Sequence, residues 1–220
     1  MLGSIPFALI IGKAFYGVDV RGHGSGNLGA TNVARVLGVK AGLSVAAGDV
    51  GKGCLAAFLP HWFGLDLDPL LVGSFAIVGH CFPVFAGFRG GKAAATTAGV
   101  LVVANLPLFL TGFLTFTLSI AVFKYVALGT MLGGLALFVH ACLAGDGVYI
   151  VVTGVLFLFL IYLHRSNIRN FLNGTEMKVT DKRLKRDRLP PLKKRPPALH
   201  EPGPKRTQGG GPPSVNRPFI

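Results

Sequence analysis

Three stretches concentrate residue types suited to phosphate chemistry. The first, Arg21 to Arg35, reads RGHGSGNLGATNVAR and sets Ser25, Asn27, Gly29, Thr31 and Asn32 in a glycine-rich run that closes on Arg35. The second, Gly87 to Gly99, reads GFRGGKAAATTAG, with Gly90 and Gly91 directly before Lys92 and small residues after it. The third, Leu163 to Glu176, reads LHRSNIRNFLNGTE and supplies His164, Arg165, Asn167 and Arg169. Glycine lets backbone N–H groups converge on an anion, the first turn of a helix adds its dipole, and Lys or Arg brings full charge. One such loop is weak evidence of a site. Two on the same membrane face, together with Lys52 inside the second apolar stretch, point to a pocket for two phosphates or a diphosphoryl-like pair, to which the third motif contributes from that face.

The elements that must position these loops are apolar helices. Hydrophobic residues make up 51% of the 220, charged residues 14%, and the mean hydropathy is +0.57. A soluble domain carries ~25% charged residues, so a soluble globule is excluded and the chain is expected to be an all-α polytopic membrane helical bundle. Apolar stretches broken by Gly, Pro or charge fall near 2–16, 39–60, 69–86, 93–106, 107–124, 128–144 and 147–163, giving seven transmembrane segments. The cut at Asn105-Leu106-Pro107 is the weakest, and merging across it would leave six. Connections bearing Lys or Arg alternate with connections that bear none, and only the seven-segment reading preserves that alternation. The positive-inside rule then places the N-terminus outside and the C-terminus in the cytoplasm. The first stretch is short and interrupted by Lys13; the expectation is that the natural start lies upstream, with a half-length first helix as the other reading. Residues 1–177 form the transmembrane domain. Residues 178–220 are basic and rich in Pro and Gly, too poor in apolar residues for a core, and are expected to be a disordered cytoplasmic tail attracted to anionic lipid.

Asp49 and Lys52 lie inside the second stretch at i and i+3, hence on one helix face, and read either as a candidate functional pair, since ionisable residues at membrane depth are rare, or as a neutralised structural pair near the helix end. Lys52 is the one expected to face a ligand. His80, in GHCFPVF just before the second glycine loop, is shared between site and scaffold. His140, mid-segment, reads as an interhelical hydrogen bonder. Other patterns mislead. GSGNLG, residues 24–29, fits the dinucleotide fingerprint, but no strand precedes it and no βαβ unit is possible. GFRGGKA fails as a P-loop because Ala86 and Ala93 stand where Gly and Ser/Thr belong. His61 and Asp66 have an acyltransferase-like spacing but lie on the outer side, far from both loops. Cys54, Cys81 and Cys142 have no metal-like spacing, and no metal, organic cofactor or nucleic-acid partner is implied.

Taken together, GSIPF, DVRGHGSGNLGATNVARVLGVKAG, GDVGKG, GHCFPVFAGFRGGKAAAT and HRSNIRNFLNGTE resemble the PlsY family of integral-membrane acyl-phosphate:glycerol-3-phosphate acyltransferases. The resemblance runs from Gly3 to about Lys178, some four-fifths of the chain. It implies acyl transfer from acyl phosphate to glycerol 3-phosphate, yielding lysophosphatidic acid and inorganic phosphate, at a bacterial plasma membrane and within phospholipid biosynthesis. The family's essential Ser and Arg map onto Ser25 and Arg35, its glycerol 3-phosphate loop onto Gly90, Gly91 and Lys92, its His and Asn onto His164 and Asn167, and a structural Glu onto Glu176. Ala93 departs from the family's GGKG, and Ala127 lacks a hydroxyl the family often has, so any such role would pass to Thr130.

An acyl phosphate is a mixed anhydride with an activated carbonyl, so positioning two repelling phosphates and stabilising developing charge are what remain. Ser25, Asn27 and Thr31 are assigned to the acyl phosphate. Arg35, Lys92, His164 and Asn167 are assigned to glycerol 3-phosphate, with Lys52 in support. Asn32, Gly29 and His80 complete the expected substrate-binding set. The proton acceptor is a substrate phosphate or His164. A transporter would line a path with these groups, and no inverted repeat is visible. A lipid-binding scaffold would tolerate loss of Arg35.

Overall fold

Polar side chains at helix starts cut an almost continuously apolar chain into separate rods. In the computed structural model, which describes residues 1–181 and 188–191, the helices are α1 (Phe7–Tyr16), α2 (Ala30–Leu37), α3 (Val39–Trp62), α4 (Pro69–Cys81), α5 (Ala94–Ala104), α6 (Leu106–Phe123), α7 (Val126–Ala144), α8 (Gly147–Leu163) and α9 (Arg165–Leu172). No strand occurs among the described residues. Asp68 caps α4 by accepting from the backbone N–H of Leu70 and Leu71, ahead of Pro69. Asp146 caps α8 in the same way through Val148 and Tyr149. Asn105 accepts from Leu108 N–H at 2.9 Å, with its own backbone extended at φ −160°. The break at Asn105-Leu106-Pro107 is therefore real: a capping amide and a proline start α6 where hydropathy alone would run on.

Each of the seven apolar stretches is built mainly of helix, with Ile5-Pro6 and Phe82-Pro83 as breaks in the first and third, but not every helix has the length of a crossing. Val39–Trp62, Pro69–Ala86, Leu106–Phe123 and Val126–Ala144 are long and apolar enough, and Gly147–Leu163 with Arg165–Leu172 makes a fifth if that pair, bent by 54°, is one span. Leu2–Tyr16 and Ala94–Ala104 are shorter apolar helices. At 1.5 Å per residue the ten residues of α1 extend about 15 Å, half of a ~30 Å hydrocarbon core.

Small residues set the packing. A Cβ on Gly53 would run into the Thr96 carbonyl, and one on Gly99 into the Val50 carbonyl, so α3 and α5 cross with their backbones in contact. Gly42 does the same for the α2–α3 hairpin, and Gly129 and Gly133 let α7 approach Phe116 and Gly112 of α6. These are the short-range contacts that drive helix association where lipid removes the hydrophobic incentive. One apolar cluster joins α1, α2 and the start of α3 around Leu9, Val33, Leu37 and Val45. A second joins α3 to α4, α5 and α6 around Ala57, Leu70, Ile77, Val100 and Leu108, with residues of α8 packed on it. His140 Nδ1 meets Thr111 Oγ1 at 2.8 Å, so it hydrogen-bonds between α7 and α6 as its position suggested.

Past α9 the chain turns back. Val179 N–H donates to the Lys124 carbonyl at 2.8 Å, and Leu189 N–H donates to the Val36 carbonyl at 2.8 Å with its side chain against the first cluster. The remainder of the expected disordered tail, residues 182–187 and 192–220, lies outside the described residues.

Candidate active site where the three loops meet

Ser25 sits at the apex of the first loop between two glycines in the left-handed region, Gly24 at φ +58° and Gly26 at φ +71°. A side chain at 24 would also run into Asn32 Oδ1. Asn32, only 2% exposed, builds this loop from within. Its Oδ1 accepts from Ser25 N–H at 2.9 Å, and its Nδ2 donates to the carbonyls of Asn27, His23 and Val20 at 3.0, 3.2 and 3.3 Å. An amide has two N–H donors, and both are consumed here. Asn32 thus shapes the loop, which corrects its expected place among the substrate contacts. Gly29 is the N-cap of α2, Thr31 is exposed in the first turn, and Arg35 is half-buried in the last. Burial lowers the Arg35 pKa while Glu176 acts in the opposite direction.

The second loop lies across the end of α4. Gly91 N–H donates to the His80 carbonyl at 3.1 Å, and a Cβ on Gly90 would collide with the carbonyls of His80 and Cys81. Lys92 follows, half-buried, and its ammonium donates to Asn167 Oδ1. Burial, with repulsion from Arg35 and Arg165, brings Lys92 down to about 8 against the opposing pull of Glu176. Ala93 then starts α5 at φ +57°. That left-handed backbone favours glycine, so the alanine standing where the resemblance expects Gly is strained.

The third motif closes the site. Asn167 Nδ2 donates to Glu176 Oε1 at 2.7 Å and Asn170 Nδ2 to Oε2 at 3.3 Å, so Glu176 orients the amide that receives Lys92. His164, 2% exposed at the α8–α9 bend, places Nδ1 at 2.9 Å from the Leu160 carbonyl. A carbonyl only accepts, so Nδ1 carries the proton and Nε2 keeps its lone pair. Burial, and then Lys92, hold His164 at about 4, hence neutral at physiological pH.

Two contacts stitch the first loop to the second. Leu28 N–H reaches the Gly90 carbonyl at 3.4 Å, and Arg21 Nη1 donates to the Ala86 carbonyl at 2.9 Å. Arg21 is itself held by Asp19, through Nη2 to Oδ2 at 2.6 Å and Nε to Oδ1 at 3.0 Å, and the same contact lowers Asp19 to about 2. In the sequence Arg21 is one of the charges of the first loop, and the Asp-x-Arg spacing around a short turn is the local signal of its role. Ser25, Asn27, Arg35, Gly90, Gly91, Lys92, His164 and Asn167 thus stand on three segments, loops and the helices they lead into, that are joined to one another.

Lys52 is the clearest correction. It is 4% exposed, and its ammonium donates to the Ile5 carbonyl at 2.9 Å, Asp49 Oδ1 at 2.8 Å and His80 Nδ1 at 2.9 Å. An ammonium has three N–H donors, and none remains for a phosphate. His80 is likewise buried behind the glycine loop rather than open to it. Thr130 spends its hydroxyl on the Val126 carbonyl at 2.9 Å. No group of three or more His, Cys, Asp or Glu among the described residues could hold a metal ion. An apolar cavity of about 50 Å³ between α4, α5, α7 and α8 has Lys92 in its lining, with Leu70 and Thr153 toward the far ends of α4 and α8.

Comparison with known proteins follows the same outline. Residues 1–174 match the family described as glycerol-3-phosphate acyltransferase. A Bacillus anthracis protein named glycerol-3-phosphate acyltransferase 2 is 48% identical over 179 residues, covering 81% of this chain and 94% of that protein. A crystal structure of PlsY (YgiH), an integral membrane glycerol 3-phosphate acyltransferase, in its glycerol 3-phosphate form, superposes with a TM-score of 0.75 at 38% identity, covering 80% of this chain and 90% of that one. The lysophosphatidic acid form of PlsY gives 0.72 at 37% identity, covering 84% and 93%.

Proposed function

The chain belongs to the glycerol-3-phosphate acyltransferase family, and we propose that it transfers an acyl group from acyl phosphate to glycerol 3-phosphate, releasing 1-acyl-glycerol 3-phosphate and inorganic phosphate. It is an integral membrane protein of several apolar helices. In the proposed arrangement all seven apolar stretches lie in the bilayer, with the N-terminus outside and the three loops on the cytoplasmic face.

The observation that carries this reading is the junction of the loops: Lys92 on Asn167, and Leu28 N–H on the Gly90 carbonyl. Two phosphates repel, and the site meets them with backbone N–H groups and with cations from three separate stretches. Arg35, Lys92 and Asn167 hold the glycerol 3-phosphate anion. Ser25, Asn27, Thr31 and the loop N–H groups hold the acyl phosphate and the oxyanion that forms on its carbonyl. The glycerol hydroxyl attacks that carbonyl, a C–O ester bond forms, and the bond from carbonyl carbon to phosphate oxygen breaks. The hydroxyl proton passes to a substrate phosphate, whose second pKa is ~6. His164, neutral with its Nε2 lone pair available, accepts from the glycerol hydroxyl that does not attack and so orients the acceptor. The acyl chain lies along the apolar cavity that Lys92 lines, widening it, with each buried CH₂ contributing ~0.8 kcal/mol.

The test is purified protein in detergent with palmitoyl phosphate and glycerol 3-phosphate, following phosphate release and lysophosphatidic acid. Turnover is expected with this donor and not with palmitoyl-coenzyme A. Absence of phosphate release, or equal turnover of the thioester, would overturn the donor assignment.

A further inference from the structure

Asp49, Lys52 and His80 make a charged cluster in the helical interior that the proposed chemistry does not use. Lys52 and Asp49 come from mid-α3, His80 from the last turn of α4, and the Ile5 carbonyl from the segment that precedes α1. Asp49 and Lys52 are 2% and 4% exposed, and Asp49 Oδ1 also lies 3.3 Å from His80 Nδ1. Burying an ion pair carries a desolvation penalty that further hydrogen bonds must offset. Here the further bonds run to the Ile5 carbonyl and to His80, so the pair ties α3 to two other segments.

The direction of the hydrogen bonds shows what the tie to His80 does. An ammonium 2.9 Å from His80 Nδ1 is a donor, so Nδ1 accepts and the ring proton stands on Nε2. The Nε2 edge occupies the place a side chain at 91 would take, since a Cβ built on Gly91 falls onto Nε2. The backbone of the same histidine accepts from Gly91 N–H at 3.1 Å. His80 therefore grips Gly91 from two sides, and Lys92 is the next residue.

We propose that Asp49, Lys52 and His80 are positioning residues: Lys52, neutralised by Asp49 and anchored on Ile5, fixes the His80 ring, and the ring with its own carbonyl sets the Gly90-Gly91 turn that aims Lys92 at Asn167. The inference deepens the acyl-transfer reading and rests on it for the role of Lys92. It makes the residue at 91 a measure of where the His80 ring stands.

That complementarity gives a suppression test. His80→Asn keeps an acceptor near the Nδ1 position for Lys52 but vacates the Nε2 edge, and Gly91→Ala adds the methyl that collides with that edge. For variants in contact, strong coupling is the expected result. Gly91→Ala alone should lower kcat/KM by about a hundredfold, and the double variant should recover to within about tenfold of His80→Asn. His80→Asn alone should raise KM for glycerol 3-phosphate several-fold and leave KM for palmitoyl phosphate within about twofold. If His80 touches substrate directly, the double variant will be no more active than Gly91→Ala, and the proposal falls. Thermal unfolding of the same four proteins in detergent reads the coupling without turnover: the double variant should melt above Gly91→Ala. Wild-type protein inactive on acyl phosphate, but showing this coupling in Tm, would overturn the activity and leave the positioning role standing. Additive Tm losses would overturn the positioning role whatever the activity.

Discussion

At the scale of single residues, the site pairs one tuned cation with one silenced histidine. Lys92 near 8 has a smaller margin of charge than an exposed lysine. Its cationic form is lost as pH rises through that value, so KM for glycerol 3-phosphate should climb above pH 8 by up to about tenfold per unit, the slope of a single required proton. Lys92→Arg should flatten that rise, because a guanidinium stays charged throughout. A KM–pH series over both proteins is the measurement. His164 near 4 gives the opposite kind of signature. If a substrate phosphate takes the hydroxyl proton, the acid limb of kcat/KM should lie near ~6 and stay there in His164→Gln, with kcat reduced. A limb near 4 in the wild type that disappears in the variant would assign the base to His164. Ala93 is a third case. Its φ of +57° is disfavoured by its Cβ, so Ala93→Gly should raise stability by ~1 kcal/mol, visible as a higher Tm with activity retained.

At the scale of elements, the loops work because something outside them holds them together. Arg21 spans from Asp19 to the Ala86 carbonyl, fixing the first loop against the second. The bridge needs a planar fork with donors on both sides, which Lys does not offer. Arg21→Gln and Arg21→Lys should both raise KM for glycerol 3-phosphate by roughly tenfold, since each 1.4 kcal/mol is tenfold, with little change in Tm. A normal KM in Arg21→Lys would show that charge alone suffices. The two loops stand out in the sequence as candidate anion-binding stretches because glycine and cation spacing is local. Their stitching does not, because it runs through backbone groups that every residue carries. The same holds for Asn32. Its type and place announced a polar contact, but only the folded loop shows that all its donors are spent on Val20, His23 and Asn27.

At the scale of the whole molecule, a small apolar cavity lies between α4, α5, α7 and α8 with Lys92 in its lining, and the proposed acyl path follows it. From His164 to Thr153 along α8 is eleven residues, about 16 Å of helix, comparable to much of an extended fatty acyl chain. Gly134 of α7 lies beside this path, and a Cβ there would stand 2.6 Å from Leu160 Cδ2. Gly134→Leu should therefore obstruct long donors more than short ones. The ratio of kcat/KM for palmitoyl phosphate to that for octanoyl phosphate should fall about tenfold or more, the worth of one or two misplaced methylenes. An unchanged ratio would move the chain elsewhere on the bundle.

What the amino acids determined by themselves were the local and the repetitive features. Hydropathy placed the chain in a membrane, and the expected apolar stretches are built mainly of helix, the form that satisfies backbone polar groups within their own segment. Asn105 and Pro107 broke one long apolar run into α5 and α6 because a cap acts within a single turn. Glycine and charge spacing marked the candidate phosphate loops for the same reason. Folding alone decided which polar groups remain open for chemistry. Lys52 had the type and depth of a ligand-binding cation, yet its three donors end on Ile5, Asp49 and His80, contributed by three separate segments. A hydrogen-bonding group has a fixed number of donors, and where they go is set by contacts between residues far apart in the chain, which no local pattern encodes.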